Sequence, residues 1–151
     1  MRFNLKIRHF SGLIISLFFL SGFESANFSE LRIKNSYMTA PIEGVDSLAA
    51  YMSITNVSSE NISIKKISCP NIKKAYLHDV KVGSKNGMIS MKKMDFLLIT
   101  PGETVDFKPG GKHIMIVGLK LPLSLNDVIS CSLRTRKGKD FPVLFKVRYV
   151  F

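Results

Sequence analysis

The C-terminal stretch VLFKVRYVF, residues 143–151, alternates apolar and mostly polar side chains. Successive side chains of a β-strand point to opposite faces, so this alternation predicts a strand with one face on a core. The preceding stretch VISCSLRTR, residues 128–136, repeats the pattern with Ile129, Cys131 and Leu133 on one side. In the last strand the side chains expected to face the core are Phe145, Val147, Tyr149 and Phe151, opposite Lys146, Arg148 and Val150.

Short runs rich in β-branched and aromatic residues continue toward the N-terminus, separated by Gly, Pro, Asn and Lys clusters. No segment after residue 26 keeps a helical apolar period over three turns. Turns are predicted at Asn86-Gly87, Pro101-Gly102 and Pro109-Gly110-Gly111. We therefore expect an all-β, antiparallel β-sandwich or barrel, with strands at residues 47–56, 62–68, 74–82, 104–107, 113–117, 128–136 and 143–151.

The composition fits one folded domain. The chain has 151 residues, of which 46% are hydrophobic, and this content is too high for an intrinsically disordered protein. A chain of this length buries its own core without several disulfides.

The first 26 residues are a different kind of sequence. Arg2, Lys6 and Arg8 precede an apolar run of about eleven residues, which ends before a segment with several small residues. The run is shorter than the ~20 residues that a membrane-spanning helix needs. We expect a cleaved secretory signal peptide at residues 1–26, a domain at 27–151 and a periplasmic location. No cysteine follows the run, so a lipoprotein anchor is not expected.

The formal charge of the chain is +11. Loss of residues 1–26 removes three basic residues and Glu24, which leaves 19 basic and 10 acidic residues and a charge of about +9. Binding of single-stranded nucleic acid requires basic residues set beside aromatic side chains. Here the basic residues are spread along the chain, so nucleic-acid binding is not expected. The simplest interpretation of this charge is a solvated basic surface; if it has a binding role, peripheral contact with an anionic membrane surface or an acidic partner is favoured over nucleic acid.

Histidine and methionine are concentrated in one segment. Only His78 and His113 remain after the signal, and four methionines lie between residues 78 and 115. In a strand, His113 and Met115 share a face. Thioether sulfur is a soft, neutral ligand that suits Cu(I), gives little to Zn²⁺ and is poor for Mg²⁺ or Ca²⁺. A single methionine in a β-protein usually fills the core. The composition alone therefore also allows a domain that binds no metal.

Three parts of the sequence together resemble the periplasmic copper chaperones of the PCu(A)C family. They are AAYMSITN at residues 49–56, the pair His78 and Met91, and PGETVDFKPGGKHIMIVGLK at residues 101–120. The resemblance extends over residues 31–150. It implies a cupredoxin-like β-sandwich, expected to be a monomer, that delivers copper to an acceptor such as the copper centre of cytochrome c oxidase.

The resemblance also implies one Cu(I) ion held by His78, Met91, His113 and Met115. The interval from Met91 to His113 matches the family, whereas the interval from His78 to Met91 is two residues longer. Met88 is therefore a rival to Met91. Two further positions depart from the family pattern without supplying a ligand: Tyr37 stands where the family usually has Trp, and Lys112 where it often has an aromatic residue.

The sequence lacks the motifs of the common enzyme classes. No GxSxG, HExxH, P-loop or dinucleotide-binding motif is present. His78 and Asp79 are adjacent in a predicted strand, so their side chains point to opposite faces. We do not expect an enzyme.

Two questions remain open at this level. Cys69 and Cys131 are either disulfide-bonded, two buried thiols, or involved in copper binding. The function is either copper delivery or, as an alternative, that of a secreted β-sandwich module that binds a protein or a surface without metal. Copper storage or detoxification is a third possibility.

Overall fold

The computed structural model describes residues 29–82 and 89–150, which form ten strands and no helix. In this part of the chain no segment is suited to cross a bilayer as a helix. The predicted signal peptide, the Asn86-Gly87 turn, Met88 and Phe151 lie outside the described residues. The strands are β1 (Leu31–Thr39), β2 (Ser47–Asn56), β3 (Ile62–Ser68), β4 (Ile72–Val82), β5 (Ile89–Lys93), β6 (Leu97–Ile99), β7 (Thr104–Phe107), β8 (His113–Leu119), β9 (Val128–Thr135) and β10 (Asp140–Arg148).

The predicted all-β sandwich is confirmed. The strand order is β5-β4-β8-β2-β1-β10-β9-β3-β6, with β7 beside β2. β1 joins the two halves of this order, because Tyr37 and Met38 pair with β2 on one side and with β10 on the other. The β1–β10 pair is parallel, while the other described pairs are antiparallel. Apolar side chains from both halves form one buried cluster.

Three strands were not predicted from the sequence. β1 contains a bulge between Lys34 and Tyr37, where Asn35 takes a positive φ of 52°, and the bulge interrupts its alternation. β5 is exposed at all five positions, so it has no apolar periodicity. β6 has three residues, which is too short for a pattern to be recognised.

The alternation at the C-terminus is confirmed in most positions. Phe145 and Val147 of β10 are buried, as are Ile129, Cys131 and Leu133 of β9. The prediction for Tyr149 is wrong, because β10 ends at Arg148 and the tyrosine beyond it is exposed. Periodicity alone does not show where pairing stops.

Cys69 and Cys131 form a disulfide. Ser68 of β3 lies opposite Ser132 of β9, so the two cysteines occupy the next facing positions, with their Cα atoms 4.3 Å apart. Both are buried. The bond resolves the question left open by the sequence in favour of a structural cross-link.

Candidate metal site

The two histidines lie directly opposite each other on neighbouring strands. β4 and β8 are antiparallel, and their register pairs His78 with His113. The ring centroids are 5.5 Å apart and the rings meet edge to face at 86°. Facing residues of an antiparallel pair share one side of the sheet. Two residues 35 positions apart in sequence therefore form a single imidazole pair.

Met115 lies on the same side of the sheet as the histidine pair. It is two residues beyond His113 on β8 and faces Tyr76 of β4. On its other side, Met115 is paired with Ala49 of β2, a residue with a small side chain. Its thioether is therefore a neighbour of both imidazoles.

Met91 is on the adjacent strand β5. The β4–β5 register pairs His78 with Lys93 and Val80 with Met91, so Met91 is a diagonal neighbour of His78 on the same side. Diagonal positions are about 7–8 Å apart, within reach of a long side chain. Met91 is 68% exposed and points outward. The rival Met88 lies outside the described residues.

A hydrogen bond selects the tautomer of the neutral His113 ring. Its Nδ1 lies 2.9 Å from the carbonyl oxygen of Gly111. Because a carbonyl oxygen only accepts, Nδ1 carries the proton and donates, and the neutral ring keeps its lone pair on Nε2. Gly111 belongs to the predicted Pro109-Gly110-Gly111 turn, in which Gly110 takes a positive φ of 75°. The turn therefore orients the His113 ring and leaves Nε2 able to bind a metal ion.

His78 has a different signature. Its Nδ1 is buried and has no hydrogen-bond partner among the described residues. In that part of the chain, it is the one buried side-chain nitrogen or oxygen without such a partner. Burial lowers the pKa of His78, and the positive charges of His113 and Lys93 lower that pKa further. The ring therefore favours the neutral form, which has a lone pair to offer. An unpartnered buried nitrogen is costly, and a bound metal ion would satisfy it.

Tyr76 and Lys93 flank the pair and were missed from the sequence. The Tyr76 ring stacks toward the His78 ring at a centroid distance of 6.3 Å, and the Lys93 Nζ lies 4.5 Å from the centroid of the Tyr76 ring. Tyr76 is two residues before His78 in a predicted strand, so its position on the same face was available as a signal. The position of Lys93 could not be read from the sequence, because β5 has no strand pattern.

Carboxylates are not part of this arrangement. Asp79 turns to the other face, as predicted, and its Oδ1 lies 3.4 Å from the Nζ of Lys112. The described residues contain no group of three or more His, Cys, Asp or Glu that could hold a metal ion. Tyr37 is farther along the sheet, where its ring packs against Tyr51 and beneath the Arg148 guanidinium. The available donors are therefore imidazole and thioether, which are neutral and suited to a soft cation.

Comparison with protein families shows to which family the chain is related. Residues 31–147 match the model of the family described as "Putative lipoprotein LpqE-like". The chain belongs to the LpqE-like family. A relative of this LpqE-like protein is "Putative lipoprotein Lxx21020" of Leifsonia xyli subsp. xyli, 32% identical over 101 residues, which are 66% of this chain and 60% of the relative. The chain thus spans about three fifths of that relative's length.

Solved structures share the fold of the LpqE-like protein. The solution structure of CuI-DR1885 from Deinococcus radiodurans matches with a TM-score of 0.61 and 26% identity, covering 82% of this chain and 83% of that one. The copper-bound PCuAC domain of PmoF2 matches with a TM-score of 0.65 and 16% identity, covering 80% and 94%. The resemblance to the PCu(A)C family, noted from the sequence, is confirmed.

Proposed function

We propose that this LpqE-like protein is an exported Cu(I) chaperone and that His78, Met91, His113 and Met115 bind the ion. One observation carries the proposal: His78 and His113 face each other across two strands, with a lone pair on His113 Nε2 and an unpartnered buried Nδ1 on His78. Met115 lies beside them on the same face. The Deinococcus protein and the PmoF2 domain, which share the fold, are described as copper-bound.

The donor set favours release as well as binding. Four neutral ligands leave the positive charge of Cu(I) uncompensated, and Lys93 adds a further cation next to the pair. Such a site holds copper less tightly than one with thiolate or carboxylate ligands. A chaperone must pass its cargo on, and this balance suits transfer.

Exposure distinguishes Met91 from the methionines of the core. Met38 and Met52 are buried in the sandwich, where they fill space, whereas Met91 projects from it. A side chain that contributes little to packing is not explained by the alternative of a secreted module whose methionines serve the core. This difference favours copper delivery over that alternative.

The proposal extends to location and acceptor. The signal-like residues 1–26 and the lipoprotein description of the relatives support export to the periplasm. As acceptor we propose the copper centre of cytochrome c oxidase, in line with the family resemblance. The basic surface would speed the approach of an acidic acceptor, and added salt would weaken this effect.

Anaerobic titration with Cu(I) against a chromophoric chelator tests the site. The folded protein should bind one Cu(I), and the His113→Ala/Met115→Leu variant should bind it at least about tenfold more weakly while remaining folded. Met94→Leu is the matched control, since Met94 belongs to the same segment but packs against the core. It should bind like the wild type.

Two results would contradict the proposal. One is a folded wild-type protein that does not bind Cu(I). The other is equal affinity in the wild type and the double variant. Either result would leave the secreted module without metal as the better account.

A further inference from the structure

Three loops meet at one end of the sandwich, and backbone hydrogen bonds join them to each other and to the strand ends. We call residues 40–46, 69–71 and 120–127 the loop end. The N–H groups of Gly118, Lys120 and Asn126 donate to the carbonyls of Asp46 (3.1 Å), Asn71 (2.9 Å) and Val147 (2.9 Å). The loops therefore form one connected surface.

The loop end exposes aliphatic side chains. Four of them are between 45% and 67% exposed: Ile42 and Val45 in the first loop, and Leu121 and Leu125 in the third. Single exposed apolar residues are ordinary on a protein surface, but a group of four on adjoining loops indicates a binding surface.

A basic cleft lies beside these side chains. It has a volume of about 450 Å³, and its lining includes Lys66, Lys73, Lys74 and Lys120 but no Asp or Glu. Within the described residues, none of these lysines takes part in an ion pair. The cleft therefore presents four uncompensated positive charges.

The acidic residues of the loop end are Glu43, Asp46 and Asp127. The carboxylate of Asp127 is engaged within its own loop, where its Oδ2 accepts a hydrogen bond of 2.7 Å from the Ser124 N–H. Together, these three acidic residues and the four lysines of the cleft carry a formal charge of +1.

We propose that the loop end docks onto an anionic phospholipid surface. The aliphatic side chains would enter the boundary between headgroups and acyl chains, and the lysines would contact lipid phosphates. Protein interfaces are enriched in aromatic residues, Met and Arg and depleted in Lys. The combination of Ile, Val and Leu with Lys therefore favours a bilayer over a protein partner.

The imidazole pair lies toward the other end of β8 from the loop end, and the cleft extends along β4 as far as Tyr76, which stacks toward His78. His113 begins β8 and Gly118, which is bonded to the first loop, lies five residues later. At a rise of about 3.3 Å per residue, the histidine is about 16 Å from the loop end along the strand. The docking proposal does not depend on copper binding.

Sedimentation with vesicles tests the docking of the metal-free protein. One vesicle set is pure phosphatidylcholine, and in the other part of this lipid is replaced by phosphatidylglycerol. We expect binding to the anionic set, and we expect salt to weaken it. Lys73→Gln/Lys74→Gln/Lys120→Gln should weaken binding at least about tenfold, because each basic residue near such a surface contributes about fivefold.

Matched variants separate the loop end from general charge. Lys34→Gln/Lys65→Gln/Lys108→Gln removes the same charge elsewhere and should retain most of the binding. Leu121→Ser/Ile42→Ser should weaken binding, whereas Leu98→Ser/Leu144→Ser, exposed positions on strands, should not. Circular dichroism and thermal unfolding of each variant verify the fold.

The proposal is overturned if the wild type ignores anionic vesicles, or if both lysine variants lose binding equally. It is also overturned if Leu121→Ser/Ile42→Ser binds like the wild type, or if soluble polyaspartate binds the loop end as tightly as vesicles do. The last result would assign this surface to an acidic protein. The Cu(I) titration is a separate measurement, so failure here leaves the copper proposal intact.

Discussion

At the scale of single residues, His113 shows how a neighbouring carbonyl decides what a side chain can do. An isolated neutral imidazole carries its proton on either nitrogen, and only the other nitrogen can bind a metal. The Gly111 carbonyl accepts a hydrogen bond from the Nδ1–H of His113, which leaves the Nε2 lone pair of the neutral ring for a metal ion. Removal of the His113 ring thus removes a donor whose orientation is already set.

Either Met91 or Met88 would act as the second methionine ligand beside Met115. Met91 projects from β5 at a position diagonal to His78. Because its side chain is exposed, replacing it with a side chain of another shape should cost little stability. We expect Met91→Leu to weaken Cu(I) binding with little change in the unfolding midpoint. Competition titration and thermal unfolding measure the two effects.

The matched variant is Met88→Leu, which should bind Cu(I) like the wild type. The reverse pattern, with Met88→Leu weakened and Met91→Leu normal, would give the ligand role to Met88.

The sequence predicted the composition of the candidate site better than its geometry. Strand alternation places His113 and Met115 on one face, because that relation is local. The pairing of His78 with His113 depends on the β4–β8 register, which long-range contacts determine. The unpartnered Nδ1 of His78 follows from burial by the surrounding structure, so no local pattern contained it.

At the scale of elements, β8 carries two of the proposed ligands at its start and a constrained glycine near its end. Gly118 has a positive φ of 71°, and a Cβ atom there would lie 2.8 Å from the Cδ of Lys73. Both the backbone conformation and the close approach disfavour a side chain. This glycine lets β8 meet the first loop and lets the Lys73 side chain lie across it.

Gly118→Ala should therefore lower the free energy of unfolding by about 1–2 kcal/mol. Chemical denaturation measures this change. Gly111→Ala is the control, because Gly111 has no positive φ and its added Cβ would meet its nearest neighbour at an acceptable 3.4 Å. A Gly118→Ala variant as stable as Gly111→Ala would show that the strand end adapts.

Strand prediction succeeded where one face is buried and the other is not. The bounds predicted for residues 47–56, 62–68 and 104–107 agree with those of β2, β3 and β7. β2 alternates between buried and half-buried positions along its whole length, so its periodicity is strong. β5 has no buried face, and its pairing with β4 depends on the partner strand rather than on its own sequence.

At the scale of the whole molecule, the disulfide closes a covalent loop that contains all four proposed ligands. Cys69 and Cys131 are 62 positions apart, and the covalent loop between them contains β4 to β8. All four proposed ligands are therefore within this loop. In the chain-entropy model, closing a loop of this size contributes about 4 kcal/mol to stability.

Cys69→Ala/Cys131→Ala should accordingly lower the free energy of unfolding by about 2–5 kcal/mol. Calorimetry or denaturant unfolding under oxidising conditions measures the loss. Addition of a reductant should destabilise the wild type and leave the double variant unchanged. A wild type whose stability does not respond to reduction would contradict the structural role of the bond.

The parallel pair of β1 and β10 has a consequence for the order of folding. It joins the first described strand to the last, and the Ser36 hydroxyl donates to the Leu144 carbonyl across 108 positions at 2.6 Å. Contacts of such long sequence separation form slowly, since a large loop must close first. The sheet cannot be completed until the C-terminal strand has been synthesised. For the proposed export, this delay is favourable, because a chain that crosses a narrow translocation channel must do so before the sandwich closes.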